Sequence, residues 1–251
     1  MRALYVLSVC LSVAGLLSCD SKPKRNPFDS PASAAVPAPK VTAPPKPEGP
    51  PQLKIDGQGP KVGWTLLMLD KAENRRRFTA EMHSHRQHFD GRDVKVSVDR
   101  KAHIGHVVAM LDELHANGAA HIQVVTETRT EFPGQLEFVP QQRVPHLPSC
   151  TVVMMILQDR ATAVWKVSGG TASRRGKGLA GPDLSTTAET IKRYAKRCDA
   201  SSTMLVSGAE GIEWGLVYDL ASSAQRLKGV KWSKVVLLRE VPVAGRPVKL
   251  H

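Results

Sequence analysis

From Trp64 onward, the hydrophobic positions of the chain follow two alternating periods. Val94, Val96 and Val98 alternate with polar residues, which indicates a half-buried strand. Apolar residues between Ile104 and Leu114 recur at spacings of three and four, which indicates an amphipathic helix that stops at Asn117-Gly118. The predicted order is a buried strand at 64–69, a helix at 72–89, a strand at 94–98, a helix at 104–114 and a strand at 122–125.

The second half of the chain repeats this order after a strand pair. Segment Val94–Thr126 aligns with Thr203–Leu238, matching Gly105 to Gly215 and Val107 to Val217. We therefore predict an α/β (α+β) fold of two tandem small strand-helix-strand-helix-strand domains. In the second domain the predicted strands are 151–157, 161–167, 203–206 and 235–238, and the predicted helices are 185–198 and 214–227.

The N-terminus has a different pattern. Arg2 leads into an apolar run from Ala3 to Leu17, which is shorter than the roughly 20 residues of a membrane span and is typical of a secretory signal. The ending Leu16-Leu17-Ser18-Cys19 resembles the bacterial lipoprotein signal. This resemblance implies cleavage before Cys19, a lipid on Cys19, and attachment to the periplasmic side of the inner or the outer membrane. An ordinary signal peptide that happens to contain Cys19 is the alternative.

A proline-rich stretch follows the signal. Eleven of the 18 prolines lie between Pro23 and Pro60, without apolar periodicity, so this stretch is predicted to be a disordered tether. The predicted organisation is a signal peptide at 1–18, the lipid site and linker at 19–60, a first domain at 61–130, a linker at 131–147, a second domain at 148–241 and a tail at 242–251.

The chain is basic, with a formal net charge of +12 at pH 7. Outside the cytoplasm, the anionic partners are phospholipid head groups, peptidoglycan carboxylates and acidic proteins. The few aromatic residues are not interleaved with basic runs, which argues against nucleic acid. Arg174, Arg175 and Lys177 lie in a Gly-rich loop without P-loop spacing, and they are candidates for anion or partner contact. A merely solvated basic surface is the alternative.

Two cysteines remain once the signal and the lipid site are set aside. Cys150 and Cys198 lie in the same predicted domain, so in an oxidising periplasm they are candidates for a disulfide. A free buried pair is the alternative, because the sequence does not give the distance between the two thiols.

Histidines are concentrated in the first domain, where seven of the nine fall between His83 and His121. His85 and His88 are the weak candidates for a metal site, because residues three apart share a helix face. No acidic or thiol ligand accompanies them at a familiar spacing, which favours solvated histidines. The sequence has no Gly-x-Ser-x-Gly nucleophile motif. We expect a non-enzymatic protein without a cofactor or metal.

Segment Val94–Thr126 resembles the periplasmic domain of the ExbD/TolR family. It contains a strand ending near Asp99, a helix with a Val-Val pair and a Leu-Asp pair ending at Asp112, a glycine turn and a short final strand. The resemblance implies partner contacts at Asp99 and Asp112. The alternatives are that Asp99 stabilises a turn and that Asp112 lies on the solvated side of its helix. The second copy is degenerate, since Gly208 replaces Asp99 and Ser222 stands opposite Asp112.

Members of that family carry a transmembrane helix with an acidic residue that takes part in proton-driven work. Segment 1–18 contains no Asp or Glu, so the resemblance implies an accessory of an energised biopolymer transport or envelope-integrity complex, without its own proton path. The implied partners are TolQ/ExbB-like and ExbD/TolR-like proteins. Because family members act as dimers, the two copies are expected to form an internal pseudo-dimer. The alternatives are a peptidoglycan- or anion-binding lipoprotein module unrelated to the motor, and a metal-scavenging lipoprotein.

Overall fold

Two mixed β-sheets and four α-helices make up the part of the chain that the computed structural model describes, namely residues 49–128, 130–148, 150–172, 184–195 and 202–250. This confirms the predicted α/β (α+β) fold class. Both sheets belong to one compact unit, Pro47–His251. None of the helices in these ranges has the length and apolar character that a bilayer span needs.

The first sheet has six strands. They are β1 (Leu53–Ile55), β2 (Pro60–Val62), β3 (Thr65–Leu66), β4 (Asp93–Val98), β5 (His121–Val125) and β6 (Gln135–Glu137), and the helices are α1 (Ala72–Ser84) and α2 (Ile104–Ala116). The spatial order is β3-β2-β1-β4-β5-β6. β1 is antiparallel to β2 and parallel to β4, which is in turn parallel to β5.

The second sheet has five strands. They are β7 (Thr151–Ile156), β8 (Thr162–Ser168), β9 (Thr171–Ala172), β10 (Ser202–Gly208) and β11 (Trp232–Leu237), and the helices are α3 (Leu184–Ala195) and α4 (Trp214–Gln225). The spatial order is β11-β10-β7-β8-β9. β7 is antiparallel to β8 and parallel to β10, which is parallel to β11.

One topology therefore occurs twice. We call β1–β5 with α1 and α2 the first copy, and β7–β11 with α3 and α4 the second copy. In each copy the chain makes an antiparallel hairpin and a short third strand, and then two helices alternate with two strands that add in parallel beside the first. β6 extends only the first sheet.

The first sheet begins inside the segment predicted to be linker 19–60. Leu53 and Ile55 of β1 are buried against the core, but a three-residue strand among prolines is too short to show a period of two. The segment predicted as linker 131–147 likewise contains β6 and the buried Phe138, and Leu250 in the predicted tail is also buried.

The predicted buried strand at 64–69 is wrong in length and in burial. Only Thr65 and Leu66 form β3, and Trp64, at the tip of the preceding turn, is 96% exposed. The apolar run resembles a core strand in composition, but of its apolar side chains only that of Leu67 is buried. Its other apolar side chains lie at the edge of the sheet.

The two sheets differ in how they are covered. β4 alternates exposed and buried residues, as its sequence predicts, because one face of the first sheet is open to solvent. β7 and β10 are buried along their whole length. One face of the second sheet joins a hydrophobic core shared with the first copy, and the other packs against Val144, Leu147 and Leu250. A single core thus runs through both copies.

Candidate functional site at the junction of the two copies

The copies meet through equivalent positions of their backbones. His103 and Glu213 form an isolated antiparallel bridge, and each is the residue immediately before a helix, α2 or α4. The amide of Trp214 donates to the carbonyl of Ala102 at 2.9 Å. Contact between a position and its own equivalent is what a two-fold relation requires. The two copies therefore contact each other at equivalent positions of the repeat.

A bidentate ion pair connects the two copies at this junction. Arg100 donates from Nη1 to Asp219 Oδ1 at 2.9 Å and from Nη2 to Asp219 Oδ2 at 2.6 Å. The Asp219 side chain is only 10% exposed, and its carboxylate raises the pKa of Arg100. In the repeat alignment these positions correspond to Ala209 and Ala109. The pair therefore cannot form a second time, and it distinguishes the copies.

An aromatic cluster fills the centre of the junction. Trp214 is fully buried, and its Nε1 donates to Thr126 Oγ1 at 2.8 Å. Its ring lies 5.5 Å from that of Phe138 and 5.7 Å from that of Tyr218. The Tyr218 hydroxyl donates to the Pro133 carbonyl at 3.2 Å, and burial raises the pKa of Tyr218. These aromatic residues belong to the hydrophobic core.

The segment between the copies runs along both of them. The Val139 amide donates to the Val235 carbonyl at 2.8 Å, so this segment adds to the edge of the second sheet. Arg143 donates to the carbonyls of Ala119 and Ala120 in the first copy. It also donates to His115 Nδ1 at 3.0 Å. Burial, followed by the charge of Arg143, lowers the pKa of His115.

A cleft of about 720 Å³ opens between α1, α2 and the second copy. Its apolar part is contributed mostly by the two helices, and its polar part lies on the rim. The apolar lining consists of Met68, Leu69, Phe78, Ile104, Val108, Ala109 and Leu238, and the polar lining includes Gln58, Asp70, Arg75, Thr79, His103, His106, Asp112, Glu113 and Arg239. An apolar depression with a charged rim is suited to an amphipathic ligand.

The carboxylates of the cleft already have partners. Asp112 forms an ion pair with Arg239 and accepts a hydrogen bond from Gln142 Nε2 at 2.8 Å. Glu113 accepts a hydrogen bond from the Thr79 hydroxyl at 2.6 Å. These contacts join α2 to α1, to the linking segment and to the second copy. The carboxylates thus shape the rim of the cleft.

Two histidines lie at the mouth of the cleft beside the start of α2. The rings of His103 and His106 are 5.5 Å apart, edge to face. His106 Nδ1 is buried and has no hydrogen-bond partner among the described residues. Burial, followed by the charge of His103, lowers the pKa of His106. A neutral imidazole whose ring nitrogen has no partner can accept a hydrogen bond from a bound ligand or donate one to it.

Of the predicted contact residues, the structure places only Asp112 in the cleft. Asp99 is exposed, does not line the cleft, and accepts a hydrogen bond from the Lys101 amide at 2.8 Å. This is the geometry of an Asp that stabilises a turn. Cys150 is disulfide-bonded. Cys19, Cys198, Arg174, Arg175 and Lys177 lie outside the described residues.

The structure also defines the surroundings of the two candidate metal ligands. α1 ends at Ser84, so His85 and His88 do not lie on one continuous helix. Their rings are 6.1 Å apart, and His85 Nε2 lies 3.3 Å from Glu81 Oε1. The described ranges hold no cluster of three or more side chains that could bind a metal ion.

Sequence reasoning missed the residues that hold the junction together, Arg100, Asp219, Arg143 and Arg239. The repeat alignment contained one signal for Arg100 and Asp219, because each of them aligns with an alanine of the other copy. Arg143 and Arg239 lie outside the aligned segments, and nothing local distinguishes them from other surface arginines.

No protein-family model, curated protein or solved structure matches this chain. Its function is therefore argued from the duplicated topology, the junction and the cleft.

Proposed function

We propose that the protein is a lipid-anchored, non-enzymatic adaptor on the periplasmic side of the bacterial envelope. Its folded part acts as a covalently linked pair of ExbD/TolR-like periplasmic domains, joined as an internal pseudo-dimer. It serves as an accessory of an energised biopolymer transport or envelope-integrity complex, and it has no proton path of its own.

The observation that carries this proposal is the pairing of two copies of one topology through equivalent positions. The shared strand order and the contact between His103 and Glu213 are features expected of a dimer whose subunits were joined in one chain. The resemblance of Val94–Thr126 to the ExbD/TolR family supplies the expected partners. Duplication of a binding domain also favours recognition of a partner over chemistry on a substrate.

The cleft is the proposed docking site for that partner. It lies where both copies contribute, so it exists only in the joined pair. Its apolar lining and charged rim suit an amphipathic segment of a membrane partner. Asp112, placed in the cleft by the structure and named by the family resemblance, is the residue on which both arguments agree.

The test is a pull-down of the lipidated protein from its own envelope after reversible cross-linking, with identification of captured proteins by mass spectrometry. We expect recovery of a TolQ/ExbB-like or ExbD/TolR-like protein. Ala109→Arg places a cation in the cleft and should lower that recovery roughly tenfold, because burial of an unpaired charge is costly.

Ala72→Arg is the matched control. Ala72 is exposed at the start of α1 and does not line the cleft, so this variant should recover the partner as wild type does. Equal recovery by both variants would show that the cleft is not the docking site. Recovery of peptidoglycan fragments alone would instead support the alternative function, a peptidoglycan- or anion-binding lipoprotein module.

A further inference from the structure

The hairpin of β2 and β3 exposes an apolar surface. Its turn consists of Gly63 and Trp64, because Val62 pairs with Thr65. Gly63 has a φ of 60°, a conformation that suits glycine in a two-residue hairpin turn. This turn places Trp64 at the tip, where it is 96% exposed, and Leu66 and Met68 are 38% and 47% exposed. Of the five large exposed hydrophobic residues in the described ranges, three lie within this short segment.

The open face of the first sheet next to this tip carries three lysines, Lys54, Lys61 and Lys95. Lys61 pairs directly with Leu66 in the β2–β3 register and with Lys54 in the β1–β2 register, so the three side chains lie on the same face. Lys95 of β4 is also exposed on this sheet. Asp56 forms an ion pair with Lys61 at 2.5 Å, and Asp93 is exposed on the same face of β4 as Lys95. Lys54 and Lys95 form no ion pair within the described ranges.

The second copy has the same topology but, in its described part, no such open face with lysines. The topology alone therefore does not produce this face. The corresponding face of the second sheet carries apolar residues such as Val153 and Trp165, and it is covered by other parts of the chain. The edge strand β9, which corresponds to β3, pairs with the C-terminal segment through Thr171 and Pro247. Within the described residues, only the first copy presents apolar and basic side chains together on an uncovered face.

The position of the tip in the chain indicates which surface it meets. The Gly63 amide donates to the Gln52 carbonyl at 2.8 Å, and Leu53 pairs with Val62. Trp64 therefore lies beside the point where the chain enters the first sheet from the proline-rich segment. Under the proposed function that segment leads back to a lipid on Cys19, so the hairpin adjoins the residues through which the anchored segment enters the first sheet.

We propose that the Trp64 hairpin is a membrane-contact site that inserts into the head-group region of an anionic bilayer. Trp64 and Leu66 supply the apolar insertion, and Lys54 and Lys95 supply the attraction to phosphatidylglycerol-type lipids. Tryptophan is favoured at this depth because its ring is amphipathic. This inference rests on the lipid anchor of the proposed function, since tethering raises the local concentration of the hairpin at the membrane and makes a weak contact effective.

The experiment uses the lipidated full chain in vesicles of phosphatidylglycerol and phosphatidylcholine, with brominated acyl chains on the phosphatidylcholine to quench nearby indoles. The chain has four tryptophans, of which Trp165 and Trp214 are buried and Trp232 is partly buried. We expect quenching of the wild-type emission and loss of the quenched fraction in Trp64→Ala. Trp232→Phe is the matched control and should keep the quenched fraction.

The lysines are tested in the same vesicles with Trp64 left in place. Lys54→Gln and Lys95→Gln should each lower the equilibrium constant of the contact roughly fivefold at low salt. Replacing phosphatidylglycerol by phosphatidylcholine removes the attraction of both lysines and should lower the constant by about 25-fold.

Two outcomes would overturn the inference in different ways. If the chain stays on the vesicles but brominated lipid does not quench Trp64, the hairpin does not enter the bilayer, and the lipid-anchored adaptor is unaffected. If the chain does not stay on the vesicles, both the membrane contact and the lipid anchor are rejected. Unchanged thermal stability of Trp64→Ala will show that loss of quenching is not loss of folding.

Discussion

At the scale of single residues, ion pairs contribute unequally to the stability of the chain. Arg100 and Asp219 hold the two copies with a nearly buried carboxylate, whereas the pair between Lys192 and Glu189 lies along the surface of α3. When the cationic partner of a buried carboxylate is removed, the carboxylate stays desolvated, and its unpaired charge destabilises the folded state. Exposed pairs lose little, because water replaces the partner.

Arg100→Met should therefore destabilise the folded chain by about 2 kcal/mol, after allowance for the partial exposure of Arg100. The measurement is the free energy of unfolding in urea. Lys192→Ala is the control, with an expected loss of less than about 0.5 kcal/mol. Asp219→Leu combined with Arg100→Met should recover part of the loss, since no unpaired charge then remains. An Arg100→Met variant as stable as wild type would show that the ion pair does not hold the junction.

His106 should make the stability depend on pH. Burial lowers its pKa in the folded chain below the ordinary 6.5, so the unfolded chain takes up the proton first as the pH falls. The contribution of His106 is thus fully present above about pH 6.5 and is lost below it. His115 contributes in the same direction, and His121, whose pKa is raised by Glu137, contributes in the opposite one.

The measurement is the urea midpoint of wild type and of His106→Gln between about pH 5.5 and about pH 7.5. We expect the midpoint of wild type to fall more steeply on acidification than that of His106→Gln. His121→Gln should show the reverse change of slope, because a raised pKa stabilises the folded chain at low pH. Parallel curves for wild type and His106→Gln would contradict the assignment.

At the scale of the elements, the two copies have the same topology, but equivalent residues have different neighbours. The second residue of α2 and of α4 is a glycine, at the equivalent positions Gly105 and Gly215. A Cβ added at Gly105 meets nothing within 4 Å, whereas one at Gly215 would lie 2.9 Å from Arg100 Cβ. The helix α4 approaches the loop after β4 closely, and a glycine is needed only on that side of the junction.

The same substitution should therefore have opposite effects in the two copies. Gly105→Ala should stabilise the chain by up to about 1 kcal/mol, because alanine is the better helix former. Gly215→Ala should destabilise it by about 1–3 kcal/mol, because the new methyl group forces Arg100 and α4 apart. Thermal unfolding of the two variants compares them directly. A stabilising Gly215→Ala would show that the contact with Arg100 relaxes without cost.

At the scale of the whole molecule, the copies are parts of one core. Buried residues of both sheets belong to one hydrophobic cluster, which includes Trp214. The second copy therefore cannot lose its packing without exposing apolar surface of the first. Such coupling predicts cooperative unfolding of the two copies.

We expect one unfolding transition, with coincident curves from tryptophan fluorescence and far-ultraviolet circular dichroism. Trp214→Ala should lower the free energy of unfolding by about 3–5 kcal/mol, because the removed indole leaves a cavity at the junction. The transition should stay single in this variant. Two separate transitions, with only one shifted by Trp214→Ala, would show that the copies fold independently.

The sequence alone determined the elements and their repetition. Val94, Val96 and Val98 show the period of a strand, and the apolar residues of α2 show that of a helix, since both patterns depend on neighbours a few positions apart. The alignment of the two halves predicted the duplication, although the short strands β1 and β2 gave no pattern long enough to detect.

Only the tertiary structure decided the strand order, the junction and the exposure of Trp64. Arg100 and Asp219 are 119 residues apart in the chain, and no local periodicity relates two such positions. The cleft likewise depends on where the second copy places Gly208 and Leu238 against α2. Trp64 belongs to an apolar run with the composition of a core strand. Its exposure follows from the turn at Gly63 and from the lack of a strand beyond β3 in the described part of the first sheet. Short-range patterns report the conformation of a segment, but which segments meet depends on packing of the whole chain.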